Sequence, residues 1–173
     1  MNASSRHIAL VVGLIVVGTV CACSVPAAAE NKKITIAAKK PPGDIARTVM
    51  TPGDDPKHEI VQEVHYNEIT SPEPDFNGFK TMNYDQLDSV AGTGTHRGYA
   101  MWPLKNGDTV YIKFEGSHKT VTKDGGAWES SFEGKFEFVR GTGKYKNIKG
   151  AGTYKGKATP EGTMWDGVID MQY

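Results

Sequence analysis

From about residue 57 onward the chain alternates, and that period excludes most folds. In Trp128-Glu-Ser-Ser-Phe-Glu-Gly-Lys-Phe-Glu-Phe138 the even positions read Trp, Ser, Phe, Gly, Phe, Phe. The odd positions, Glu129, Ser131, Glu133, Lys135 and Glu137, are polar or charged. A side-chain period of two with one apolar and one charged face belongs to a half-buried antiparallel strand. Residues 109–118 repeat the pattern, with Ile112 and Phe114 facing one way and Lys113 and Glu115 the other. Residues 163–173 put Trp165, Ile169 and Met171 on one face. Segments 58–69, 79–90, 93–103 and 148–158 are weaker but β-compatible. Beyond the first 29 residues no stretch has the 3.6 period of a long amphipathic helix.

Turn chemistry divides these strands. Asn106-Gly107 and Asp124-Gly125 are strong hairpin dipeptides, because both central residues of a type I′ turn need positive φ. Arg140-Gly-Thr-Gly143 and Thr159-Pro-Glu-Gly162 mark two more corners, so turns recur about every 18 residues. Strands that long, joined by tight hairpins, bury one face only by stacking or by closing on themselves. Glycine favours closure. The chain has 20, all but Gly13 and Gly18 beyond residue 29, well above the usual ~7%. Within strand-like segments they share a parity: Gly94 and Gly98, Gly134 among the aromatics, and Gly150, Gly152 and Gly156. Glycine in a strand weakens it, so repeated use signals sharp coiling or close packing inside a barrel. The reading is all-β, an antiparallel up-and-down β-barrel over 58–173; an open sandwich is the alternative.

Residues 1–29 read as a signal peptide. Arg6 and His7 form a short basic region, Ile8 to Val20 is apolar, and Ala27-Ala28-Ala29 precedes Glu30 as a small-residue cleavage pattern. The expected location is periplasmic or secreted, with cleavage near Ala29. The apolar run is too short for a comfortable membrane span. Anchoring as a lipoprotein through Cys23 is the alternative. Both cysteines, Cys21 and Cys23, lie in this leader. Cleavage would leave no thiol for disulfides, zinc-thiolate sites or a cysteine nucleophile. Residues 30–57, punctuated by Pro41, Pro42, Gly43, Pro52, Gly53 and Pro56, read as an extended N-terminal arm with one short strand at 33–38.

The run Gly141-Thr-Gly-Lys-Tyr-Lys-Asn-Ile-Lys-Gly-Ala-Gly-Thr-Tyr154, with 131–139 before it, resembles the Gly-Thr-Gly-aromatic turn and glycine-rich strand of allene oxide cyclase-like and dirigent-like barrels. Thr93-Gly-Thr-His-Arg-Gly-Tyr99 and Asn106-Gly-Asp108 are similar to the preceding hairpin in exported bacterial proteins of that type. The resemblance covers roughly 58–173. It implies an eight-stranded calycin-like barrel with a central cavity, assembled as a homo-oligomer, trimer or dimer. No stretch matches the catalytic residues of the plant members.

Lys plus Arg number 20 and Asp plus Glu number 20, which excludes the basic footprint of a nucleic-acid binder. Phosphate cradles fail on spacing: Phe138 stands where a P-loop glycine would precede Gly143, and Lys146 where a dinucleotide fingerprint needs its third glycine. No histidine pair has helical metal-ligand spacing, so no metal and no cofactor are expected. Asp75, Asn77 and Gly78 fail the EF-hand spacing and read as a proline-stiffened loop. Cavity candidates follow from parity. His96 goes with Gly94, Gly98 and Trp102, and His118 with Ile112 and Phe114; an inward histidine titrates near working pH and suits a general base, a ligand contact or a hydrogen-bonded core position. Ser130 falls among inward aromatics, Tyr154 on the glycine-rich face, and Tyr66 and Gln62 share parity with Ile60 and Val64. Trp128 reads as core. Three classes stay open: a barrel binding a small apolar molecule, a cofactor-independent cyclase or isomerase, and a solid structural or protein-interaction barrel.

Overall fold

The computed structural model describes residues 29–173. The leader up to Ala28, with Cys21 and Cys23, lies outside the described residues. The described chain forms β1 (Asn31–Lys40), β2 (Ala46–Met50), β3 (His58–His65), β4 (Glu68–Thr70), β5 (Phe79–Lys80), β6 (Met82–Val90), β7 (Thr93–Pro103), β8 (Thr109–Thr122), β9 (Trp128–Gly141), β10 (Lys149–Thr159) and β11 (Gly162–Gln172). Every pairing is antiparallel, in the order β2-β3-β6-β7-β8-β9-β10-β11-β1-β4-β5.

That order has two ends, and the chain ties them together. β3 and β4 lie near opposite ends, yet only Tyr66 and Asn67 separate them. β5 runs into β6 through Thr81 alone. A buried polar corner fixes the junction. The Thr81 N–H donates to the Asn67 carbonyl at 2.9 Å, the Asn67 N–H to Thr81 Oγ1 at 3.1 Å, and Thr81 Oγ1 to Asn83 Oδ1 at 2.6 Å. The sheet therefore curls on itself as a barrel.

The register over 128–138 and 165–173 agrees with the alternation. Phe132, Gly134, Phe136 and Phe138 face inward and Glu133 and Glu137 outward. Two readings are corrected. The supposed arm supplies β1, paired with β11 along its whole length and burying Ile34, Ile36 and Ala38, as well as the edge strand β2. Trp128 opens β9 beside the exposed 123–127 turn and is 38% exposed, so it is not core. Turns stand at both dipeptides, with Gly107 at φ +91° and Gly125 at φ +84°, but Asn106 and Asp124 lack positive φ, so neither is the expected type I′ turn.

One end of the barrel is plugged. Residues 71–78 fold over it through a short 3₁₀ turn, and Phe76 makes edge contacts with Trp102 (6.4 Å) and Tyr145 (5.5 Å). All three rings are fully buried. Asp75 knots the plug to two other turns. Its carboxylate accepts from Tyr145 Oη at 2.8 Å and Lys144 Nζ at 3.2 Å, and its carbonyl accepts from the Lys105 N–H at 3.0 Å. The hydrogen bond from Tyr145 and the Lys144 ammonium hold the Asp75 carboxyl below its usual range.

Candidate functional site

Register across β6–β11 and β1, shifted only by a bulge at Tyr111/Ile112 in the β8–β9 pair, sorts the inner residues into rows. One runs His96, Gly116, Gly134, Tyr154, Gly167, Ile36. The next, toward the plug, runs Asp85, Gly98, Phe114, Phe136, Gly152, Ile169. On the other side lie Gly94, His118, Phe132, Gly156, Trp165 and Ala38. Glycines are where rings lie down. A Cβ on Gly116 would stand 2.7 Å from the His96 ring, and one on Gly134 would collide with the Tyr154 phenol. The two bare positions let His96 and Tyr154 reach toward each other across β8 and β9.

They meet at 2.6 Å between His96 Nε2 and Tyr154 Oη. Around His96 stand Phe114, His118 and Phe132, with ring centroids 6.5, 6.0 and 6.2 Å away. Around Tyr154 stand Phe136 and Trp165, at 6.3 and 5.9 Å. Burial, assisted by His118, pulls the His96 imidazole down to about 4. Burial raises the Tyr154 phenol, so both partners are neutral at neutral pH. His118 is buried, its pKa lowered by that burial, and its Nδ1 has no hydrogen-bond partner. Although they point inward, His96, Phe114, Phe132, Tyr154 and Trp165 are only half-buried, whereas Phe136 and Trp102 beneath them are buried. The arrangement is an aromatic recess with a sealed floor and a neutral polar pair in its wall.

The alternation thus placed His96, His118 and Tyr154 on one inner face, and the structure brings them together. Ser130 also faces inward, at the rim, where its Oγ accepts from Thr120 Oγ1 at 3.0 Å. Gln62 and Tyr66 do not join them. The inner parity of β3 is that of Val61, Glu63 and His65, which leaves Gln62 exposed on the outside. Tyr66 sits in the break after β3 with Lys80 Nζ over its ring at 4.7 Å.

That shifted parity reveals a polar corner. Glu63 is in register with Asp85, and both face inward. Burial pushes the Asp85 carboxyl up to about 7, with Glu63 and Asp44 adding to the rise and His65 and Lys40 opposing it. At Glu63 burial works in the same sense, but His65 and Lys40 outweigh it and hold the carboxyl below its usual range. The signal for this corner lay in 79–90, where the polar residues Asn83, Asp85 and Ser89 fall on one parity and Tyr84 on the other.

No family model matches the chain, and no curated protein does. Solved structures that overlap it include two dirigent proteins. The pterocarpan synthase dirigent protein GePTS1 is 12% identical with a TM-score of 0.47, over 83% of this chain and 84% of that one. The pterocarpan synthase dirigent protein PsPTS1 is 11% identical with a TM-score of 0.49, over 83% and 95%. The overlap transfers no residue role. Among the described residues no helix is long and apolar enough to cross a membrane.

Proposed function

We propose that this is an exported barrel that binds a small, largely apolar molecule in the recess formed by His96, Phe114, Phe132, Tyr154 and Trp165. The observation that carries the reading is the incomplete burial of these inward rings above a sealed floor. Concave aromatic surface with a few fixed polar groups is what small-molecule sites are made of. The charge state of the pair favours holding over catalysis. A general base works best with a pKa near the operating pH, and an imidazole held near 4 is a weak one. A neutral His–Tyr pair instead offers one donor and one acceptor to a ligand's hydroxyl or carbonyl.

Native mass spectrometry of the protein purified from its own host tests this directly. Expected is a retained apolar species that Tyr154→Phe weakens and His96→Gln weakens further. An empty barrel whose melting midpoint is unmoved by a panel of aromatic and terpenoid metabolites would leave the solid structural barrel as the better reading. Turnover of a bound molecule that is lost in His96→Ala while binding persists would instead identify an isomerase or cyclase.

A further inference from the structure

The polar corner is separate from the aromatic recess and has a chemistry of its own. Asp44, in the bend between β1 and β2, and Glu63 and His65 on β3 bring one ligating atom each within 4.8 Å of one another. Two further observations set the corner apart from an ordinary acidic cluster. His65 is 6% exposed, and its Nδ1 lies 3.4 Å from Glu63 Oε1, within ion-pair reach but without the alignment of a hydrogen bond, so a buried ring nitrogen makes no hydrogen bond. Asp85, opposite Glu63 in the register, also carries a buried Oδ1 with no partner. Buried polar atoms in native folds are almost always paired, and two orphans in one corner call for an explanation.

We propose that Asp44, Glu63 and His65 form a binding site for a divalent transition metal of the zinc class, with Asp85 beside it as the balancing carboxylate. Two carboxylate oxygens and one imidazole nitrogen make a three-ligand zinc set with the fourth position free. Calcium and magnesium prefer oxygen throughout. Zinc–ligand distances near 2.0–2.1 Å put tetrahedral ligand atoms about 3.3 Å apart. The Glu63–His65 pair already stands at 3.4 Å, and side-chain rotation at Asp44 closes the set.

A resident competitor sharpens the test. Lys40 Nζ lies 2.6 Å from Asp44 Oδ1 and 3.9 Å from Glu63 Oε1, where it gives these carboxylates a cation. A divalent ion must displace that ammonium, and the flexible four-carbon stem of Lys40, at the end of β1, lets it withdraw. Removing the lysine should therefore improve binding, an effect that nonspecific binding by surface carboxylates would not show.

The experiment is titration of tag-free, chelator-stripped protein with Zn²⁺, with Co²⁺ absorption reporting the coordination number. One Zn²⁺ per chain is expected. His65→Ala should weaken binding at least tenfold, Asp85→Asn should weaken it less, and Lys40→Met should tighten it at least tenfold. Circular dichroism checks the fold of each variant, and His65→Gln, which keeps the volume, replaces His65→Ala if that variant does not fold. Absence of saturable binding overturns the proposal, as does Zn²⁺ binding that the His65 variants leave intact. Binding that depends on His65 but does not respond to Lys40→Met would put the ion elsewhere and overturn this ligand set too. None of these outcomes bears on the aromatic recess.

Discussion

His96 and Asp85 look into the same interior from neighbouring rows, and their pKa values are shifted in opposite directions. An unfolded chain protonates the imidazole below about 6.5, while the fold refuses the proton until about 4. The contribution of His96 to stability is complete above 6.5 and lost as pH falls toward 4. At about 1.4 kcal/mol per pKa unit the loss is on the order of 3 kcal/mol. His118, lowered by burial, acts in the same sense. Asp85 does the reverse. The fold keeps its proton up to about 7, the unfolded chain only to 3.8, so its contribution favours the fold at low pH and is lost as pH rises through 7. Between pH 4 and 7 the two slopes oppose each other. Urea unfolding at pH 5 and pH 7.5 should therefore show a modest difference for the native sequence. Asp85→Asn should lose more stability on acidification, and His96→Phe less. Three parallel profiles would contradict the opposed titrations.

A strand tests its own register. In β9, Phe136 is 3% exposed and Val139 is 55% exposed on the outer face. Phe136→Ala should cost about 3–5 kcal/mol in denaturant unfolding, and Val139→Ala within about 0.5 kcal/mol. Comparable losses would mean that the register is shifted. Such long elements were legible because the alternation in 128–138 or 163–173 repeats often enough to fix which face is buried. β3 was not. Its Ile60 and Val64 are apolar but lie off the inner parity, while Glu63 and His65 on that parity are polar, so hydrophobicity alone pointed Gln62 and Tyr66 inward. β1 was read as part of an arm because prolines and glycines follow it and its partner β11 is remote in sequence. The β6–β7 hairpin turns on Ala91 at φ +50° with Gly92 at φ +77°, and an alanine gives no turn signal.

At the scale of the molecule, the barrel has one end plugged around Phe76 and an aromatic recess of half-buried rings on its inner face. The histidines and Tyr154 of that recess were readable from parity. Of the polar corner only the polar parity of 79–90 was readable, because the rest joins it from a bend and from β3 only when the sheet closes. Export is expected to leave Glu30 as the first residue, which N-terminal sequencing or intact mass of the protein from its own host would check. A lipid-modified Cys23 at the terminus would place the same barrel on a membrane surface instead.

Closure also sets the order of assembly. β6 to β11 zip together hairpin by hairpin, each finding its neighbour soon after it is made, but β1 has no full-length partner until Ile34 meets Ile169 on β11. Until then β1 and β11 both present raw edges, the condition in which chains pair with the wrong neighbour. Docking of two strands so remote in sequence is the slow kind of folding step. A ribosome that stalls before β11 releases a product that cannot shield itself. A chain kept extended until its synthesis is complete, as during translocation, avoids that hazard.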